Sequence, residues 1–143
     1  MKKNVYYAHP IEYYPGREER SSKKERAAIC KIQGIFPNMK ITNPAKFDYG
    51  PAMNLYLKEV GRADVVVIHE LPQKVLSSGV VLEAEEALRR KIPVYSLTHD
   101  STELVRIFSL AAFTKLSRDQ TRRRIVTRSP PSRSGYKLLV DLH

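Results

Sequence analysis

Residues 63–68 read Ala-Asp-Val-Val-Val-Ile, and this stretch decides the fold. It is short, β-branched and almost continuously apolar, which is typical of a parallel strand covered on both faces. Such a strand is buried only when helices lie above and below the sheet. The residues on either side should therefore alternate between strands and helices.

Three further apolar runs have the length of strands, at residues 4–8, 39–43 and 92–97. The first two are closed by Pro10 and Pro44, which withdraw a backbone donor and favour a turn. The pattern predicts one mainly parallel sheet that contains four segments: Val5–Ala8, Ile41–Thr42, Val65–Ile68 and Val94–Leu97.

Helical spacing of apolar residues separates these strands. It predicts helices over residues 18–33, with Gly34 as a stop, and over 55–62, 80–90 and 101–116. The alternation predicts an α/β fold, a Rossmann-like open parallel sheet with helices on both faces. A chain of 143 residues fits a single domain. We expect it to occupy residues 1–116.

Residues 117–143 form a basic C-terminal extension, with a loop expected at 127–134 and a final strand at Tyr136–Leu142, at an oligomer contact. Residues 115–143 hold eight Lys or Arg against two Asp, so they supply +6 of the net charge of +10. The rest of the chain is only mildly basic and needs no polyanionic partner. A basic tail usually lies in solvent or contacts another subunit, so nucleic-acid binding is the less favoured interpretation.

The composition, 42% hydrophobic and 28% charged, is that of a globular protein. No apolar run approaches the length of a membrane span, and the first residues do not resemble a signal peptide. We therefore expect a cytoplasmic protein without a membrane partner. The single cysteine, Cys30, excludes an internal disulfide and is expected to be a small buried residue. No Cys and His spacing indicates a zinc site.

Ligands of a parallel sheet bind at the carboxyl ends of its strands, so the loops after residues 8, 68 and 97 are the places to look. Ser77-Ser78-Gly79 follows the second loop and leads into a helix whose first turn is expected to hold Glu83. Hydroxyls and free N–H groups at a helix start favour an anion. A glutamate there is, however, more often a partner of the helix dipole or a capping residue.

Four motifs in order make the pattern more specific. They are Val-Tyr-Tyr-Ala-His-Pro-Ile at residues 5–11, Ala-Asp-Val-Val-Val-Ile at 63–68, Gly-x-x-x-Glu at 79–83 and Lys-Ile-Pro-Val at 91–94. Together they resemble the nucleoside 2-deoxyribosyltransferase superfamily, including its nucleotide N-glycosidase branch. The resemblance covers residues 4–97, about two thirds of the chain.

The resemblance implies that Glu83 attacks the anomeric carbon of a nucleoside or nucleotide and expels the base. A carboxylate suits this chemistry because it stabilises an oxocarbenium-like state and can trap it covalently. Ser77 stands where the nucleotide branch has a phosphate-binding serine. The residues that we expect to bind the substrate are Ala8, His9, Pro10, Arg17, Tyr56, Asp64, Ser77, Ser78 and Gly79.

The chain departs from the family at two of these positions. Tyr56 stands where the family has an aspartate that contacts the sugar, and His9 stands where glycine is usual. His9 would narrow the sugar pocket, supply a proton donor, or be a loop residue without a role. Glu59 and Glu12 are candidates for the missing acid.

The favoured interpretation is therefore an N-glycosidase or deoxyribosyltransferase acting on a nucleoside 5′-monophosphate, without metal or cofactor, as a homodimer or larger homo-oligomer. The main alternative is a nucleotide-binding or sensing domain that does not catalyse, because a fold and its pocket outlive a lost activity. A nucleic-acid-associated protein is a third interpretation, and Arg122-Arg123-Arg124 is its only support.

Overall fold

Seven strands lie within residues 3–10, 18–47 and 52–128, which are the residues that the computed structural model of the protein describes. They are β1 (Asn4–Ala8), β2 (Lys40–Thr42), β3 (Val65–His69), β4 (Val75–Leu76), β5 (Val94–Leu97), β6 (Leu104–Ile107) and β7 (Thr114–Lys115). Five of them form the main sheet, in the order β2-β1-β3-β5-β6, while β4 and β7 form a separate pair. The main sheet and its helices make one small α/β domain.

The pairing confirms the predicted sheet. β1 is parallel to β2 and β3, and β3 is parallel to β5, with Tyr6 opposite Val66 and Val66 opposite Val94. The β-branched and aromatic residues of these strands fit a buried, pleated surface. The carboxyl ends of β1, β3 and β5 therefore lie along one edge of the sheet.

Four helices accompany the strands in the described residues. They are α1 (Glu18–Ile35), α2 (Met53–Gly61), α3 (Ser78–Arg89) and α4 (Arg118–Arg128), with a 3₁₀ turn at Pro44–Lys46. Helix α1 continues past Gly34, so that glycine is not its stop. Helix α3 ends at Arg89, and Lys91, two residues later, has a positive φ of 61°. The Lys91 and Ile92 N–H groups bond back to the Leu88 and Ala87 carbonyls, which turns the chain into β5.

Each face of the sheet packs against different helices. On one face, α1 contributes Ala28 and Ile32 to a core with Val5, Tyr7, Val67 and Leu97. On the other face, α2 and α3 contribute Val60, Val80, Ala84 and Ala87 to a core with Tyr6, Ala8, Val66 and Ile68. Neighbouring residues of β1 alternate between these faces because side chains of a strand do. We call them the α1 face and the α3 face.

The helix predicted over residues 101–116 is wrong. Residues 104–107 form β6, which pairs antiparallel with β5, and residues 114–115 form β7, which pairs with β4. Ser101 has a φ of 62°, a conformation that does not fit a helix start. Pairing with β5 satisfies the backbone of β6 better than an isolated helical turn, because tertiary contacts override weak local preferences.

Two further predictions concern the burial of Cys30 and the structure of the C-terminal extension. Cys30 is exposed on α1, so the prediction that it is buried is wrong; Ala28 and Ile32 form the inner side of that helix. The extension begins with α4, whereas the predicted strand Tyr136–Leu142 lies outside the described residues. In the part of the chain that is described, no helix combines the length and the apolar character needed to cross a membrane.

Candidate functional site

The candidate site lies where the chain leaves β1 and β3. After β1 the chain passes to α1 on one face, and after β3 it passes to α3 on the other. In doubly wound folds, strands whose connections diverge in this way mark the place where a ligand binds, in a crevice at their carboxyl ends. Ala8 and Ile68, which pair across the two strands, form the buried floor of this region.

Glu83 lies beneath this region on the α3 face. Its carboxylate accepts a hydrogen bond from the hydroxyl of Tyr6, which comes from the middle of β1. Both side chains are buried, Tyr6 being 0% and Glu83 5% exposed. Helix α3 begins at Ser78, so Glu83 lies in its second turn rather than in the first turn that we expected. Its position one turn further along the helix brings the carboxylate into contact with the sheet.

Burial changes the acid–base behaviour of both groups. Desolvation raises the pKa of Glu83 to about 7, and the hydrogen bond from Tyr6 acts against this rise. The pKa of Tyr6 is raised by its own burial and by the neighbouring Glu83 charge. Tyr6 therefore remains a hydrogen-bond donor. Glu83 is a carboxyl group that exchanges its proton near neutral pH, a property frequent at functional sites.

Helix α2 brings two of the predicted residues towards the same pair. After burial and Glu83, electrostatic interactions with Tyr56 and Glu59 are the smaller causes that raise the pKa of Tyr6. Tyr56 is buried, with its ring centroid 6.4 Å from that of Phe47. Glu59 accepts a hydrogen bond from Arg62 at 3.1 Å. Of the two candidates for the missing acid, Glu59 is thus near Tyr6, whereas Glu12 lies outside the described residues.

Ser77, Ser78 and Gly79 stand at the start of α3, as predicted. Ser77 occupies the N-cap position and is 4% exposed, yet its side chain makes no capping hydrogen bond. The Ser78 N–H is already bonded to the hydroxyl of Thr121 in α4, at 2.9 Å. A methyl group on Gly79 would meet no atom within 4 Å. The helix start is therefore partly covered by α4 and open beside Gly79.

His9 lies on the opposite face from Glu83. Its ring stacks on Tyr7 with centroids 4.0 Å apart, its Nδ1 lies 3.0 Å from the Tyr7 carbonyl oxygen, and its Nε2 lies 3.4 Å from Glu25 of α1. Interaction with His9 is the main cause that lowers the pKa of Glu25. The structure therefore separates His9 from Glu83, and the half-buried Pro10 follows it out of the sheet.

One other predicted site residue, Asp64, is not brought to the carboxyl ends of β1 and β3. Asp64 precedes β3, and its carboxylate accepts the N–H of Asn4 at 2.7 Å. That bond lies at the amino ends of the strands, the edge opposite to the carboxyl ends of β1 and β3. Arg17 lies outside the described residues.

Sequence reasoning missed a buried pair on the α1 face. The Tyr7 hydroxyl lies 2.7 Å from His69 Nδ1, and His69 Nε2 lies 3.2 Å from the His99 carbonyl oxygen. The carbonyl can only accept, so Nε2 carries the proton and Nδ1 accepts from Tyr7. Burial lowers the pKa of His69 to about 4 and raises that of Tyr7. The imidazole is therefore neutral in the folded protein above this value.

Glu70 is a second carboxyl group that sequence reasoning missed. It follows β3 directly, is 8% exposed, and accepts a hydrogen bond from the Ser96 hydroxyl at 2.6 Å. Its position directly after the central strand is the sequence signal that could have identified it as a candidate site residue. In the described ranges no group of three His, Cys, Asp or Glu side chains is arranged to hold a metal ion. Comparisons with models of known families, with curated proteins and with solved structures gave no match.

Proposed function

We propose that the protein cleaves the N-glycosidic bond of a nucleoside 5′-monophosphate, or transfers its deoxyribosyl group, with Glu83 as the nucleophile. The observation that carries this proposal is the buried Tyr6–Glu83 pair on the α3 face, next to the carboxyl ends of β1 and β3. A carboxylate shielded from water and held by one neutral donor is suited to stabilising a cationic sugar.

The sheet supports a Rossmann-like classification within this proposal. Counted along the chain, the five strands of the main sheet are arranged 2-1-3-4-5, with the last one antiparallel. In doubly wound folds with this order the ligand binds at the divergence of the first and third strands. The Tyr6–Glu83 pair lies below that point, on the α3 face.

The proposed reaction proceeds in two steps. The Glu83 carboxylate forms a bond to the anomeric carbon while the carbon–nitrogen bond breaks, and the base leaves with the electron pair and takes up a proton. Water, or a second base, then attacks the same carbon and releases Glu83. Neither step uses a metal or a redox cofactor. Because the nucleophile must be ionised and its pKa is about 7, turnover should rise with pH through neutrality.

A nucleotide-binding domain without catalysis is the second candidate. Tyr56 favours it, because this buried side chain stands beside the Tyr6–Glu83 pair where the resembling family has a sugar-binding aspartate. In that case the crevice would hold a nucleotide whose glycosidic bond stays intact. Glu83 would then contribute to binding as a buried hydrogen-bonding group.

Incubation with a panel of nucleoside monophosphates, followed by chromatography of the free base, tests the proposal. Glu83→Gln keeps the shape of the side chain but removes its charge, so base release should fall by roughly 10²–10⁴-fold. Glu85→Gln is the matched control, because Glu85 is exposed on the same helix. Base release by Glu83→Gln at the wild-type rate would end the catalytic proposal. Binding without base release by the wild type would favour the second candidate.

The preference for a 5′-phosphate has its own test. Ser77 and the Gly79 backbone present neutral donors at the start of α3, and Ser77→Asp would place a repelling charge there. The wild type should bind a 5′-monophosphate more tightly than the nucleoside, and Ser77→Asp should remove the difference. Equal wild-type affinities for the two ligands would contradict the preference.

A further inference from the structure

Glu70 is a buried carboxyl group that the proposed reaction does not use. It lies at the carboxyl end of β3, and its N–H donates to the Leu97 carbonyl at 2.9 Å, which continues the pairing of β3 with β5. Its side chain is fixed by the Ser96 hydroxyl. Within the described part of the chain the carboxylate has this one hydrogen-bond partner, and its second oxygen can accept from a ligand.

The alternation of strand residues puts Glu70 on the same face as Glu83. Val66 and Ile68 pack in the core of the α3 face, so Glu70, two residues further, points to that face as well. Ser96 stands two residues after Val94, which belongs to the same core. The bond between Glu70 and Ser96 agrees with this assignment.

Glu70 lies closer to the carboxyl ends of the strands than Tyr6, which holds Glu83. Tyr6, which holds Glu83, is opposite Val66, and Glu70 comes four residues after Val66. At about 3.3 Å per residue the backbone at Glu70 is roughly 13 Å beyond that register. A nucleotide whose sugar contacts Glu83 would have to extend towards the carboxyl ends of the strands, and its base would then lie near Glu70, on the side of β5.

A carboxylate accepts hydrogen bonds and donates none when it is ionised. It favours a ligand edge with an amino group and disfavours one with a carbonyl oxygen, whose lone pairs it would repel. Cytosine and adenine carry an exocyclic amino group where uracil and hypoxanthine carry a carbonyl. A carboxylate in this place therefore discriminates between bases of the same size.

We propose that Glu70, oriented by Ser96, selects nucleotides whose base carries an exocyclic amino group. This inference rests on the proposed function, because it assumes that the crevice binds a nucleotide. Glu70 acts in it by accepting a hydrogen bond from the base and takes no part in the bond cleavage at the sugar.

The test compares two pairs of deoxynucleoside monophosphates that differ only in this group: those of cytosine and uracil, and those of adenine and hypoxanthine. Dissociation constants are measured by calorimetry at low temperature. In at least one pair the wild type should bind the amino form at least about tenfold more tightly, as expected for a hydrogen bond to a charged group. Glu70→Gln, whose amide both donates and accepts, should bring that ratio close to one.

Two further variants separate binding from folding. Ser96→Ala keeps Glu70 but releases its carboxylate, so the ratio should fall by a few-fold; this variant also serves as the test if Glu70→Gln does not fold. Glu103→Gln changes an exposed glutamate near the same edge and should leave the ratio unchanged. Equal affinities within both pairs, or a ratio that survives Glu70→Gln, would overturn this inference alone. Absence of binding for all four nucleotides would overturn the proposed function with it.

Discussion

Two neighbouring tyrosines of β1 lie on opposite faces of the sheet and bond to different ionisable side chains. On the α3 face Tyr6 donates to Glu83, whose pKa burial raises to about 7. On the α1 face Tyr7 donates to His69, whose pKa burial lowers to about 4. Burial disfavours the charged form in both cases, so it weakens the acid and also weakens the base.

The difference between the faces lies in what surrounds each pair. His69 is enclosed by Tyr7 and the His99 carbonyl, and His9 stacks on Tyr7, so both ring nitrogens of His69 have partners in the protein. Glu83 is held by Tyr6 beneath the open start of α3. The α1 face therefore encloses its ionisable pair with protein groups, whereas the α3 face holds a buried carboxyl group close to the start of a helix.

The largest expected effect is on how stability depends on pH. His69, with its pKa lowered from 6.5 to about 4, stabilises the fold above pH 6.5, and this contribution is lost as pH falls towards 4. Glu83, with its pKa raised from 4.5 to about 7, stabilises the fold below pH 4.5, and this contribution is lost as pH rises towards 7. The two contributions to the free energy of unfolding, each about 3 kcal/mol, therefore change in opposite directions between pH 4.5 and pH 6.5.

Removing either group should therefore change the slope of the free energy of unfolding plotted against pH. Glu83→Gln should become more stable as pH rises from 4.5 to 6.5, and His69→Gln should become less stable over the same range. Urea unfolding at several pH values measures both slopes, and each slope is independent of the overall stability of the variant. Parallel curves for the two variants would show that the faces are not opposed.

The next effect concerns the two tyrosines. Tyr6→Phe removes the hydrogen bond that opposes the rise in the pKa of Glu83, so the pH profile of turnover should move to higher pH. At pH 7 turnover should fall about tenfold or more. Tyr7→Phe should leave turnover unchanged and lower the free energy of unfolding by about 1–3 kcal/mol, since His69 loses its donor. Initial rates from pH 5 to 9 and urea unfolding distinguish the two variants. Loss of turnover in Tyr7→Phe, with turnover unchanged in Tyr6→Phe, would contradict the proposal that the catalytic carboxylate lies on the α3 face.

A smaller effect is expected where α4 covers the start of α3. Thr121→Val removes the acceptor of the Ser78 N–H and should destabilise the fold by about 1 kcal/mol. Thr114→Val, at an exposed position of β7, is the matched control. Thermal unfolding of the two variants side by side measures the difference. Identical midpoints would mean that the contact with α4 contributes nothing.

The smallest effect compares two helical glycines. A methyl group at Gly79 in α3, or at Gly34 in α1, meets no atom within 4 Å. Alanine at either position should therefore stabilise its helix by roughly 0.5–1 kcal/mol. Only Gly79→Ala should also weaken nucleotide binding, because the ligand is proposed to approach that backbone. Calorimetric titration of both variants checks this, and equal affinities would argue against close approach at Gly79.

The central strands could be predicted because their β-branched runs admit few other structures. The edge strand β6 could not, since Leu104, Ile107 and Leu110 recur at the spacing of a helix. Its structure depends on pairing with β5, a contact that spacing along the chain does not encode. Segments as short as β4 and β7 give no periodic signal at all.

The candidate site was only partly predictable for a related reason. Glu83 could be singled out from the motif, but its partner Tyr6 required knowledge of which face each residue of β1 occupies. The same alternation sends His9 to the α1 face with Tyr7. Asp64, by contrast, could have been assigned to the amino edge from the sequence, because it precedes the strand whose carboxyl end carries the site.

The pairing of β4 with β7 has a consequence for synthesis on the ribosome. The segment that leads into α3 is bonded to residues that follow much later: the Thr114 N–H donates to the Lys74 carbonyl, and the Leu116 N–H to the Leu76 carbonyl. Chains are made from the amino end, and early segments begin to fold before late ones emerge. In a nascent chain that already contains Glu83, β4 therefore has no partner strand until residues 114–116 have been synthesised.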